Sequence, residues 1–245
     1  MEKKIHYTLA VGAGSGIFEE YRKLAPEKHY ILMDLSGKIE KLKKRTEDPE
    51  HRIQYLELDV RNIPAIREAF SEIGDKPVCE LMYLAGINYF ADALDVTEEI
   101  WNEILQVNLK GCFFVMQETA RNMIRHGISG SMVNISSQHG IVGNTQRAPY
   151  CASKAGLLNM NRVLALEWAS FGIRVNAVAP TFILYSCNEE LLMEKNFKKK
   201  NLREIPLNRY CTAEDVAGAV DFLFSDKSRM MTGQSMVLDG GWTIK

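Results

Sequence analysis

The chain has 245 residues, 46% hydrophobic and 25% charged, with 30 basic against 31 acidic side chains and a net charge of −1. This excludes disordered, collagenous and coiled-coil chains and suffices for a full hydrophobic core. The balanced charge offers no general attraction for nucleic acid, so a small-molecule partner is expected.

Short apolar runs alternate with amphipathic, charge-bearing stretches, the rhythm of βαβ units. In chain order the predicted strands are His6–Val11, His29–Met33, Ile53–Leu58, Cys79–Leu84, Ser131–Ile135, Ile173–Val178 and Ser235–Leu238. Between them the 3.6-residue period predicts helices near 16–25, 37–46, 62–73, 98–125, 150–170 and 212–225. The expected fold is α/β: one doubly wound Rossmann-type domain over 1–245, with a seven-stranded parallel sheet and helices on both faces. The fifth helix, with LLNMNRVLALEW, is apolar on nearly every face, as expected of a helix between a sheet and a second body such as another subunit. Residues 181–211 break the rhythm with Pro206, two cysteines and KNFKKK, where a substrate loop belongs.

Five cysteines at 79, 112, 151, 187 and 211 form no CxxC pair and no Cys/His cluster, so reduced thiols in a cytoplasmic protein are expected, without a metal site. No stretch approaches the roughly 18 apolar residues of a membrane span, and the apolar run near the N-terminus has no cleavage site, so neither membrane nor export is expected.

LAVGAGSGIF places Gly12, Gly14 and Gly16 between the first strand and first helix, where backbone N–H groups meet a pyrophosphate; the plainer reading is a tight turn. Asp34 ends the second strand 18 residues after Gly16, near the offset of a carboxylate that accepts from an adenosine ribose and repels a 2′-phosphate. NAD is therefore expected over NADP, with Lys38 the one nearby cation. Asp59, closing LELDV, either contacts the adenine or caps the next helix.

In YCASK, Tyr150 and Lys154 stand four apart on a helical stretch and share a face. An ammonium beside a phenol stabilises the phenolate and suits the tyrosine to exchange a proton with an alcohol or ketone. Ser137, 13 residues earlier at the end of the fifth strand, lies at the sheet's carboxyl edge and can polarise a carbonyl. Asn108 in LQVNLKG is a poor mid-helix residue, suited to opening the ladder and holding a water near Lys154.

Together these motifs resemble the short-chain dehydrogenase/reductase family over almost the whole chain. The family's glycine turn resembles VGAGSGIF, its adenine-side Asp-Val resembles Asp59–Val60, and its tetrad resembles Asn108, Ser137, Tyr150 and Lys154. RVNAVAPTFI and TGQSMVLDGGW resemble its nicotinamide-contacting stretch and its last strand. The resemblance implies hydride transfer, with Tyr150 as acid/base, Ser137 orienting the carbonyl, Lys154 holding the nicotinamide ribose and lowering the tyrosine pKa, and Asn108 supporting a proton relay. It implies a cofactor site of Gly12, Ser15, Gly16, Ile17, Asp34, Asp59, Val60, Ala85, Gly86, Tyr150, Lys154, Pro180 and Ile183. It also implies a homotetramer or homodimer through helices 98–125 and 150–170.

The departures surround the cofactor. Val11 and Phe18 replace the threonine and final glycine of the turn, Tyr83 and Leu84 stand where an Asn pair precedes Ala85–Gly86, and Thr181 and Tyr185 replace a glycine and a threonine after Pro180. Phe18 is expected to push the helix, the strand or the pyrophosphate, or to turn outward. A remodelled NAD site and a catalytically degenerate binding or regulatory subunit are the two readings.

For the substrate, QHGIVGNTQRAP contributes Gln138, His139, Asn144, Gln146 and Arg147 near the reacting carbon, and KNFKKKNLR at 195–203 offers cations for a carboxylate. KIEKLKKR at 38–45 reads as a solvated helix face. His139 follows Ser137, but no G-x-S-x-G elbow accompanies it, so a hydrolase is disfavoured. A sugar, sugar acid or polyol is the expected substrate, with a 3-oxoacyl or steroid-type ketone as the alternative.

Overall fold

A computed structural model describes residues 5–185 and 188–244; Cys187 lies outside the described residues. The order is β1 (Tyr7–Val11), α1 (Gly16–Leu24), β2 (His29–Asp34), α2 (Ser36–Arg45), β3 (Ile53–Glu57), α3 (Ile63–Ile73), β4 (Val78–Tyr83) and α4 (Glu98–Leu105). A π-helical turn at Gln106–Gly111 leads into α5 (Cys112–His126), then β5 (Ser131–Ile135), α6 (Ala148–Trp168) and β6 (Arg174–Pro180). After β6 come β7 (Ile183–Leu184), α7 (Glu189–Met193), α8 (Lys195–Leu202), β8 (Cys211–Thr212), α9 (Ala213–Phe224) and β9 (Ser235–Leu238).

Seven of these strands form the expected sheet in the order β3-β2-β1-β4-β5-β6-β9, every pairing parallel. Strand alternation sorts the core onto two faces. Leu9 and Val11 join α3, α5 and α6 on one side, and Ala10 joins α1, α2 and α9 on the other. The order reverses between β1 and β4, so the crevice at their carboxyl ends is where a ligand of an open α/β sheet binds.

Two expectations need correction. The predicted helix 98–125 is interrupted by the π turn, and the expected loop 181–211 contains two helices and two short strands. That segment builds its own small apolar cluster of Leu192, Ile205 and Tyr210, with Phe182, Phe197 and Trp242 against it. Ile183, Tyr185 and Cys211 of the same segment pack instead against the core shared by α1, α2 and α9. Among the described residues no helix is long and apolar enough to cross a membrane, and no group of three or more His, Cys, Asp or Glu could hold a metal ion.

Candidate active site

A cleft of about 880 Å³ opens at the carboxyl ends of β1 and β4. Its first wall is backbone. Gly12 turns the chain at φ +82°, where a Cβ would lie 2.4 Å from the Ala85 nitrogen, so only glycine lets the loop and the β4 exit meet. Ser15 caps α1, its Oγ accepting from the Ile17 N–H at 3.2 Å, and Gly16 sits under the Tyr185 ring. These residues, Ala85, Gly86, Pro180 and Ile183 all line the cleft.

Asp34 is buried at the adjacent corner. Its carboxylate accepts the Gly14 N–H and the Leu35 N–H, each at 2.8 Å, and Lys38 Nζ is 3.9 Å away. Lys41 and Arg45 reach the same rim, so the solvated face expected of 38–45 is one-sided: three of its cations edge the cleft. Asp59 and Val60 line the far wall. Asp59 does not cap α3, because Asn62 does so, its side chain accepting from the Ala65 N–H. Arg61 instead forks onto Asp59 at 3.0 and 2.7 Å and holds its carboxyl below the usual carboxylate range.

Phe18 neither touches the cleft nor obstructs it. It is 1% exposed, edge-on to Tyr30 at 5.4 Å within the core shared by α1, β2 and α9. Tyr83 is buried as well, and its hydroxyl donates to the Val107 carbonyl at 2.7 Å, inside the π turn.

Ser137, Tyr150 and Lys154 meet at the edge of β5 and the start of α6, facing the same cleft. Lys154 is 4% exposed, donates to the Ile135 carbonyl at 2.8 Å, and holds its Nζ 5.7 Å from the centre of the Tyr150 ring. Burial pushes its pKa down to about 8. Burial also raises the Tyr150 phenol above its ordinary value, against smaller lowering effects of a Ser137 hydrogen bond and the Arg147 charge. Arg147 is the one cation among the groups that lower the tyrosine, and Lys154, expected to do so, is not among them. Asn108 is fully buried behind the cleft in the π turn. Its amide clasps the Ile87 N–H and carbonyl at 2.9 Å and donates to Ser153 Oγ at 3.1 Å.

At the substrate end, the segment after Ser137 contributes fewer groups than expected. His139 and Arg147 line the cleft; Gln138, Asn144 and Gln146 do not. The cations of 195–203 are absent too, because α8 turns Phe197 and Leu202 inward and leaves Lys195, Lys198, Lys199 and Lys200 exposed. Phe182 and Thr181, which the sequence did not single out for the substrate, close this end. Burial takes His139 down to about 4, with the Arg147 charge adding to the effect, so its ring is neutral at physiological pH. The buried Nδ1 of His139, Oγ1 of Thr181 and Oδ1 of Asn88 have no hydrogen-bond partner among the described residues, and all three residues line the cleft.

A sequence family described as Enoyl-(Acyl carrier protein) reductase matches residues 27–243. An NAD-dependent glycerol dehydrogenase of Listeria innocua is 33% identical over 244 residues, 97% of this chain and 93% of the relative. A 3-oxoacyl-(acyl-carrier-protein) reductase of Staphylococcus aureus is 35% identical over 241 residues, 95% and 96% of the two chains. The crystal structure of a gluconate 5-dehydrogenase from Burkholderia cenocepacia, in complex with NADP and tartrate, is similar with a TM-score of 0.90 and 28% identity, over 98% of this chain and 96% of that one.

Proposed function

The chain belongs to the short-chain dehydrogenase/reductase family and is an NAD(P)-dependent oxidoreductase of alcohols and ketones; we propose that it oxidises a secondary hydroxyl of a sugar, sugar acid or polyol, with NAD as the preferred cofactor. The observation that carries this reading is that Ser137, Tyr150 and Lys154 share one cleft with the glycine turn and Asp34. Unpartnered polar atoms on His139, Thr181 and Asn88 support a hydroxylated substrate, because burying them against hydrocarbon leaves them unpaired. Glycerol and gluconate dehydrogenases among the relatives point the same way.

The chain fits a dinucleotide at several points. Gly12 leaves backbone-close space, the positive N-terminal end of α1 faces the cleft where a pyrophosphate would lie, and the Asp34 carboxylate suits a ribose diol. The nicotinamide, when bound, supplies the acceptor for the hydride that leaves the alcohol carbon. Tyr150 takes the hydroxyl proton during oxidation and returns it to the carbonyl oxygen during reduction. Ser137 holds that oxygen, and Lys154, with one N–H spent on Ile135, has two left for ribose hydroxyls. Asn108 is a positioning residue acting through Ile87 and Ser153. We assign 181–211 as the substrate-covering part of a single domain, since Thr181 and Phe182 line the cleft.

A cytoplasmic location suits the free thiols Cys79, Cys112, Cys151 and Cys211. A homotetramer or homodimer through α4, α5 and α6 suits the exposed apolar side chains of Leu166, 80% exposed, and Val163 on α6 and Trp101 on α4.

Titration with NADH followed by nicotinamide fluorescence, then a substrate panel with NAD and NADP, tests the reading. Failure to bind either cofactor would restore the degenerate-subunit reading. Higher kcat/KM for 3-oxoacyl thioesters or steroids than for every polyol and sugar acid would replace the substrate class.

A further inference from the structure

We propose that Arg147 is the seat of a carboxylate on the substrate, so that the preferred substrate is an acid and not a neutral polyol. This rests on the reading above and narrows it. Arg147 is only 5% exposed, yet among the described residues its side chain makes no hydrogen bond and no ion pair. Its guanidinium instead lies 4.1 Å from the centre of the Phe90 ring and 5.3 Å from that of Phe182. Aromatic faces attract the cation but take none of its five N–H donors, which stay available to a ligand in the cleft. Burial lowers the Arg147 pKa, so the cation has lost part of its hydration, and a planar anion that accepts two parallel N–H bonds from the side open to the cleft offsets that loss.

The position fits the reaction. Arg147 immediately precedes α6, three residues before Tyr150, and lines the same cleft as Tyr150 and Ser137. Its charge is felt by both Tyr150 and His139. No carboxylate is among the groups that perturb Arg147 itself, so the counter-charge is left for the substrate to bring. The exposed lysines of α8 offer no comparable site, because a solvated ammonium on a flexible stem gains little from one carboxylate.

An isosteric charge series tests the proposal: D-gluconate, its alcohol sorbitol and its amine glucamine, each assayed with NAD. The wild type should favour gluconate over sorbitol by at least about tenfold in kcat/KM, with glucamine last. Arg147→Met should cut the gluconate-to-sorbitol ratio by about 10- to 100-fold, chiefly through KM for gluconate. Arg147→Lys keeps the charge without the fork and should hold part of the ratio, which covers the case in which the Met variant does not fold. Turnover of all three compounds without regard to charge, or an Arg147→Met ratio equal to wild type, overturns the proposal alone. Equal loss on gluconate and sorbitol also overturns it, because Arg147 would then act on Tyr150 or on the stack of rings. Turnover of none of the three, with NADH still bound, overturns the sugar-acid reading and this proposal together.

Discussion

The two ends of the cleft are built by different means. The dinucleotide end is mainly backbone: a glycine at positive φ, the first N–H groups of α1 and the exits of β1 and β4, locked to the sheet by the Leu84 and Ala85 N–H bonds to the Val11 carbonyl. The substrate end is side chains drawn from four places, with Ser137 and His139 after β5, Arg147 and Tyr150 around the start of α6, Phe182 after β6, and Phe90 from the β4–α4 connection. Backbone recognition tolerates change in the surrounding side chains, which is why Tyr83, Leu84 and Phe18 can depart from the family pattern while the cradle persists. Recognition by side chains has no such tolerance, so single substitutions there should cut function sharply.

The largest separation of the two ends is expected from Tyr150→Phe. The variant keeps the ring that packs near Lys154 and His139 but loses the proton carrier. We expect kcat to fall by about 10³-fold or more, with the NADH dissociation constant changed by less than about threefold. Near-normal turnover would remove Tyr150 from the proton transfer, and a large loss of NADH binding would show that the ends are not separable. Phe18 probes the opposite end. Because its ring fills the core and not the cleft, Phe18→Ala should cost about 3–5 kcal/mol of stability, seen as a lower urea midpoint, without tightening NADH binding. Tighter binding would mean that Phe18 obstructs the pyrophosphate after all.

The difference between the ends also decided what could be read from the sequence. A parallel sheet covered on both faces leaves continuous apolar runs, so all seven strands of the main sheet and the glycine turn were legible to within a residue or two. For Phe18 the comparison with a glycine pattern left displacement and turning outward both open, and missed burial in the core, although Ile17, Phe18, Tyr21 and Ala25 already mark one buried helix face. The π turn carried no periodic signal, since one inserted residue shifts the helical phase, but Asn108, a poor mid-helix residue suited to opening the ladder, marked its place. Segment 181–211 looked irregular because two short helices packing on their own cluster present too few apolar turns to register. Arg147 was visible as a cation, but its isolation depends on Phe90 and Phe182, which are far from it in sequence and come together only in the fold.

Lys154 sits where the two ends join, and pH sharpens its role. Its folded pKa of about 8 lies below the ordinary lysine value of 10.5, so between these the folded state binds fewer protons than the unfolded chain. Stability then rises with pH across that window: the cost of burying the ammonium is fully present below pH 8 and is relieved as pH climbs toward 10.5. The full cost is up to about 3 kcal/mol. Between pH 8 and 9.5 the cofactor-free wild type should therefore gain about 1–2 kcal/mol relative to Lys154→Met, read from urea midpoints at matched ionic strength. Parallel stability profiles would mean that Lys154 is hydrated and keeps its ordinary pKa.

The smallest expected effect is at the adenosine corner, where one carboxylate faces three cations. Asp34 already accepts the Gly14 and Leu35 N–H groups, which orient both its oxygens without exhausting their lone pairs, so it can still take ribose hydroxyl protons. Against a 2′-phosphate the same carboxylate is a like charge in a buried position, only partly offset by Lys38 at 3.9 Å. Asp34→Ala removes the acceptor and the repulsion together. Lys38, Lys41 and Arg45 then edge the corner with no carboxylate of Asp34 to oppose them, although Glu19 still pairs with Arg45 at 3.4 Å. The NAD-to-NADP ratio of kcat/KM should fall by about tenfold, from lost NAD binding and gained NADP binding alike, with kcat for NAD little changed because the corner is remote from Tyr150. A wild type that already prefers NADP, or a variant whose ratio is unmoved, would transfer cofactor choice from Asp34 to the cations of α2.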